Sequence, residues 1–276
     1  MLVSLRGKVK MTNIHPTAIV EDGAIIGEDV SIGPFSFIQS GAKIGNGCKI
    51  GPNVIILKYA IIGEKVQIHS CAVIADEPQD MKFDGCDSFV KIGNNCIIRE
   101  GVTIHRGSKA GTYTEIGDDC FLMANSHIAH NVRLGNKVIV ANGALLAGYV
   151  EVDDRAFLSG NCAIHQFCHV GRLALVTACS GASKDVPPFC ITRHCDTNVV
   201  AGLNIIGMRR AGIELPDRII IKQAFKMLYC SNLNVSDAIK QMEKVFTSGI
   251  GKEFVDFIKS SKRGICRYEK GTLEED

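Results

Sequence analysis

The chain has 276 residues, 46% of them hydrophobic, with no tryptophan, 28 glycines and a formal net charge of +2. That length allows one large domain or two modest ones. The near-zero charge gives no general support for nucleic-acid binding, and no apolar run reaches the roughly 18 residues of a membrane span. Twelve cysteines, with no secretory signal and no C-x-x-C pair, point to a reducing cytosol in place of a disulfide framework.

The opening stretch "MLVSLRGKVK" has two apolar patches too short for a signal-peptide core, and a second methionine follows at Met11. Residues 1–10 therefore read as a leader outside the fold. From Ile14 every sixth residue is β-branched: Ile14, Val20, Ile26, Ile32, Ile38, Ile44, Ile50, Ile56, Ile62, Ile68 and Ile74. The beat resumes at Ile92, Ile98 and Ile104, and again from Ile116 to Val176. Four positions after an anchor comes a small residue, as in Ala18, Ala42, Cys48, Ser126 and Ala144. A six-residue period suits neither an α-helix nor a half-exposed strand; it marks a parallel β-helix. Three hexads then form one triangular coil of about 18 residues, with successive coils roughly 4.8 Å apart. Cys48, Cys96, Cys120, Cys162 and Cys168 fall in the small slot and are expected to pack as core filler.

Two stretches lose the anchors while keeping the phase, residues 76–90 and 107–115, and are predicted to be loops leaving the prism. After "DVPPF" at 185–189 the beat stops. Apolar spacings of three and four then predict helices near 198–212, 217–231, 236–247 and 250–262. The expected division is a β-helix over 11–190 and a helical domain over 191–276 that caps the last coil.

The stretch "NSHIAHNV", 125–132, carries His127 and His130. Counted from Leu122 and Ile128, both side chains should point away from the core. One coil beyond His130 lies Gly148 and one further Gln166, with His165 beside it. Outward histidines are commonly just solvated, but convergence on neighbouring columns around a glycine favours a site. Zinc needs three placed nitrogen or sulfur ligands, and the widely spaced H-x4-H pair of hexapeptide carbonic anhydrases is missing, so no metal is expected. There is no G-x-S-x-G elbow and no P-loop. "GNGCKIG" is repeat punctuation, and no cofactor is expected. What remains is a histidine able to deprotonate a hydroxyl near neutrality. A glycine beside it would let substrate approach a backbone N–H. Base and backbone donor are the minimum equipment for acyl transfer to an alcohol.

"NSHIAHN", "LAG", "HQFC", "CSGASKDVPP" and "NIIGMRRAG", in this order, together with "QDMKF" and "IREGVTIHRG" in the loop regions, cover residues 14–266. This set resembles the acyl-carrier-protein–UDP-N-acetylglucosamine O-acyltransferase family of lipid A biosynthesis. The resemblance implies a left-handed parallel β-helix with a C-terminal α-helical domain. It also implies transfer of a fatty, 3-hydroxyacyl chain from acyl carrier protein to the sugar 3-hydroxyl. On that likeness His130 is the base and Gly148 the oxyanion donor. Asp80, Lys82, His105, His127, Asn131, His165 and Gln166 fall at or beside substrate-binding positions, Asn204, Arg209 and Arg210 match nucleotide-sugar residues, and Ala178 falls where acyl-chain depth is limited. The family's homotrimers have clefts between subunits, and "VIVANGALLAGYV" (138–150) lacks charge even at outward positions, as a covered face would. Lys184, Arg193, Arg209, Arg210 and Lys222 could draw in an acidic carrier protein.

Asn131 stands where well-known members carry aspartate, Tyr149 and Ile206 replace a histidine and a glutamate, and one extra residue separates Pro188 from Asn204. Two other readings stay open: a sibling N-acyltransferase, which normally has an extra N-terminal domain, and a noncatalytic β-helix used as a binding surface, which tends to show threonine ladders.

Overall fold

The computed structural model describes residues 12–269; the predicted leader, 1–10, lies outside the described residues. From Asn13 to Ala182 the chain winds through three parallel sheets in strict rotation. The first face holds strands such as Ser31–Ile32 and Phe121–Leu122, the second His127–Ile128 and Leu145–Leu146, the third Arg133–Leu134 and Glu151–Val152. The second residue of a strand points inward. Ile38, Ile56, Ile74, Ile104 and Ile128 are all 0% exposed, and each such side chain contributes about 1.5–3 kcal/mol by leaving water. The five predicted filler cysteines are buried between them.

Most coils repeat after 18 residues, as in Lys49 to Gln67. Across the two loops the step is longer: Ile62 pairs with Ile92 and Ile92 with Ile116. The extra lengths are 92 − 62 − 18 = 12 and 116 − 92 − 18 = 6 residues. Both are multiples of six, which is why the anchors keep their phase although residues 18 apart do not stack there. Both excursions leave between a second-face and a third-face strand, so they share one corner of the prism.

The corners demand left-handed backbone. Asn131, Tyr149 and Phe167 take φ of +59°, +60° and +65°. Asparagine tolerates that region, whereas bulky aromatic residues are strained there. Tyr149 and Phe167 stack on each other at 5.0 Å, which offsets part of the cost.

Outward strand positions differ by face. The third presents Lys91, Glu115, Arg133, Glu151 and His169. The first presents Ile97, Phe121, Ile139, Phe157 and Leu175. The second presents Leu145, Ala163 and Gly181 after His127.

Beyond the coils, Cys190–Thr192 and Val199–Leu203 extend the first face, and Arg267–Tyr268 returns to close it. The helix predicted from 198 thus starts later: α1 spans Ile205–Arg210. Val199 and Val200 are β-branched and find a strand on either side, which outweighs the helical spacing. Helices α2 (Leu215–Tyr229), α3 (Val235–Val245) and α4 (Gly249–Ser260) follow near the predicted places. Helix α4 is pinned to the prism: Arg172 gives two hydrogen bonds to Glu253, at 2.6 and 2.7 Å, and Phe257 lies 4.4 Å from the His169 ring.

Candidate active site

A cavity of about 790 Å³ runs along the second face to the loop-bearing corner. His127, His130, Gly148, His165 and Gln166 all line it, as the coil count predicts, and Gln79 reaches it from the first loop. Its floor is apolar, made of Leu145, Ala147 and Ala163. A second groove, of about 810 Å³, lies on the third face behind Tyr149; it holds none of His127, His130 and His165, and its one histidine, His169, is paired with Asp153 at 2.8 Å.

His130 points away from the core yet is only 9% exposed, because the Tyr149 ring stands edge-on to it at 5.3 Å. A Cβ built on Gly148 would fall 2.5 Å from His130 Nε2 and 2.4 Å from Cε1. Only glycine leaves room for the imidazole here. Among the described residues the Gly148 N–H has no hydrogen-bond partner, so it can donate to a ligand. On the other side of the ring, His130 Nδ1 lies 3.1 Å from Asn131 Oδ1.

His127 lies three residues before His130, on the strand His127–Ile128, 2.7 Å from Thr103 Oγ1, with the His105 ring 5.1 Å behind it. Burial pushes His127 down to about 4, and the charges His105 and His130 would carry push the same way. His105 is also lowered, chiefly by burial, against the pull of the Glu77 carbonyl. These two rings stay neutral near pH 7 and place no standing charge beside His130.

Other expected positions are placed differently. His105 is buried behind His127, outside the cavity lining. Asp80 and Lys82 sit in the first loop, where Asp80 Oδ1 accepts from the Lys82 N–H at 3.0 Å. Asn131 faces the second loop and lines the third-face groove, not the cavity. Ala178 lies half-buried at the corner between first and second faces. Asn204 caps α1 by accepting from Gly207 N and donates to the Leu173 carbonyl, both at 2.9 Å. With Arg209 and Arg210 it belongs to the corner between third and first faces, where Arg155 reaches the Ala211 carbonyl. One chain therefore does not bring this trio to His130. Arg193 is tied to Glu269 at 2.8 Å, while Lys184, Lys222 and the arginine pair are exposed.

Sequence reasoning missed two residues. Arg106, 5% exposed, clamps the first loop: it donates to the Cys86 carbonyl at 2.7 Å, pairs with Glu77 at 3.2 Å and lies over Tyr59 and Phe83. Its position two after the anchor Ile104, like that of His130 after Ile128, was the available signal. Ser108 is the other, and a loop residue has no phase to betray it.

Comparison with known proteins gives a consistent result. Residues 185–266 match the family model described as Udp N-acetylglucosamine O-acyltransferase, Domain 2. Residues 41–76 and 113–148 match the bacterial transferase hexapeptide model. An acyl-[acyl-carrier-protein]–UDP-N-acetylglucosamine O-acyltransferase of Anaeromyxobacter is 45% identical, over 92% of this chain and 99% of that one. One of Bartonella henselae is 40% identical, over 96% and 98%. Among solved structures, a UDP-N-acetylglucosamine acyltransferase from Bacteroides fragilis superposes with a TM-score of 0.88 at 40% identity, covering 92% of this chain and 99% of that one. The enzyme from Campylobacter jejuni gives 0.87 at 36%, over 93% and 100%. With a histidine over a bare glycine at the head of an apolar trough, and relatives alike along nearly their whole length, the chain belongs to the acyl-[acyl-carrier-protein]–UDP-N-acetylglucosamine O-acyltransferase family.

Proposed function

We propose that the protein transfers a fatty acyl chain, in its 3-hydroxyacyl form, from acyl carrier protein to the 3-hydroxyl of UDP-N-acetylglucosamine. This is the first step of lipid A biosynthesis, carried out in the cytoplasm. The observation that carries the reading is His130 Nε2 lying against Gly148, whose N–H has no partner among the described residues. His130 takes the proton of the sugar hydroxyl as its oxygen attacks the thioester carbonyl, and the Gly148 N–H donates to the oxyanion. Collapse expels the carrier's thiolate, which takes the proton back from the imidazolium. The acyl chain lies along Leu145 and Ala163 toward Ala178, whose methyl limits its depth.

The working unit is a homotrimer. Over the later coils the outward positions of the first face, Phe121, Ile139 and Phe157, and of the second, Leu145 and Ala163, are apolar, while those of the third, Arg133 and Glu151, are charged. Unlike faces that must meet can close in a three-membered ring. The corner shared by the two apolar faces then points to the axis, and the first face of one copy covers the second face of the next. The outer edges brought together are the His130 corner of one copy and the α1 corner of its neighbour. Their heights agree: α1 contacts Arg155 and Leu173, on the same coils as Gly148 and Gln166. Asn204, Arg209 and Arg210 would thus reach the nucleotide from the neighbouring copy. Arg209, Arg210, Lys184 and Lys222 offer the acidic carrier protein a cationic approach.

His130→Ala is expected to keep the oligomer, by light scattering, and to lower acyl transfer about a thousandfold or more. Full activity would end the mechanism. Offering both the hydroxyl and an amine acceptor separates this reaction from the sibling N-acyl transfer: acylation of the amine alone would replace the reading.

A further inference from the structure

We propose that Ser108, in the second loop, is a positioning residue that sets the tautomer of His130 through Asn131, with Tyr149 completing the relay. The proposal rests on His130 being the base. Asn131 Oδ1 accepts from the Ser108 backbone N–H at 2.9 Å and from the Ser108 hydroxyl at 3.0 Å, and it faces His130 Nδ1 at 3.1 Å. A backbone N–H can only donate, so it decides which end of the amide is oxygen. An amide oxygen only accepts, so His130 Nδ1 carries the proton. The lone pair of the neutral ring is then on Nε2, the nitrogen that lies against Gly148 in the cavity.

Asn131 is held from behind. Its backbone sits at φ +59° and its N–H donates to the buried Thr114 Oγ1 at 2.8 Å. The Ser108 hydroxyl, giving its proton to Asn131, accepts from Tyr149 Oη at 3.0 Å. The Tyr149 ring presses on His130 and stacks on Phe167. Loop, corner and base thus form one closed set of hydrogen bonds and ring contacts. Every member that orients the imidazole is neutral, so orientation is supplied without a carboxylate to offset the charge the ring gains during transfer.

The test is ¹⁵N NMR of the intact protein labelled at histidine, with the His130 signals identified by their loss in His130→Gln. At about pH 8, above the usual histidine range, His130 should show a protonated Nδ1 and a bare Nε2. A ring protonated at Nε2 in the wild type overturns the proposal, and does so whether or not acyl transfer is the reaction. Asn131→Ala should abolish the Nδ1–H preference and lower kcat about a hundredfold with KM little changed; an unaltered tautomer would also overturn it. Ser108→Ala should lower kcat about tenfold, a general-base effect lost in part, and Ser108→Thr should restore it by keeping the hydroxyl. Equal losses in the two variants would remove Ser108 from the relay. Asn131→Asp should move the acid limb of kcat/KM to higher pH by about one unit, and an unmoved limb would mean that this side chain does not act on the ring.

Discussion

At the scale of single residues, the site depends on one missing side chain. Gly148 is not among the corner residues with left-handed φ, so its backbone would accept alanine. The obstacle is the neighbour: the added carbon would sit 2.4 Å from His130 Cε1, well inside van der Waals contact. Gly148→Ala should therefore fold and assemble but push the imidazole off its position, and misplacement by about 1 Å costs on the order of a hundredfold in kcat. Steady-state kinetics beside a melting curve checks this; unchanged kcat would mean that the ring has another place to stand. The pair was legible because corner residues one coil apart stack wherever no loop intervenes. Ser108 was not legible, since it reaches Asn131 and Tyr149 from an insertion in which the six-residue count assigns no direction. The burial of His130 was equally hidden, because it comes from Tyr149, whose aromatic ring is held at a strained corner.

At the scale of elements, the junction between α4 and the third face should respond to pH. His169 Nε2 lies 2.8 Å from Asp153, the backbone N–H of His169 donates to Asp185, and the ring packs on Phe257. Burial disfavours the charged ring, but the Asp153 hydrogen bond and the charges of Asp153, Glu151 and Asp185 together outweigh it, and the net shift is upward. A group raised on folding stabilises fully below its unfolded value, about 6.5, and that stabilisation is lost as pH rises through the folded value. The melting temperature should fall from about pH 6.5 upward, and His169→Gln should remove this part of the slope. Calorimetry over that range decides it; a parallel slope in the variant would assign the dependence elsewhere. None of this pairing could be read from the sequence, because Phe257 comes from a helix 88 residues further on (257 − 169). The strand at Val199–Leu203 escaped for the same reason: Arg267–Tyr268, which pairs with it, lies far along the chain. The hexapeptide strands, by contrast, depend only on near neighbours in the count, and their places were readable.

At the scale of the whole molecule, the proposed trimer divides the catalytic unit between copies, and this can be counted. In the proposed trimer each site takes His130 from one chain and Asn204, Arg209 and Arg210 from the next around the ring. Consider mixed trimers of His130→Ala chains and chains carrying both Arg209→Ala and Arg210→Ala. Whatever the order, a three-membered ring of two kinds of chain contains a single junction at which an intact His130 meets an intact arginine pair. The other two junctions lack one group or both. Purified mixed trimers, captured through two different tags, should therefore regain about one third of the wild-type kcat, while each parent stays near its own low value. If the mixed species is no more active than the parents, the site is complete within one chain and the arginines act elsewhere. The proposed ring rests on face polarity: Glu115, Arg133 and Glu151 would mark its outside and Phe121, Ile139 and Phe157 the side a neighbour covers. That alternation is present in the sequence, but it becomes a statement about assembly only once each strand is known to belong to a particular face.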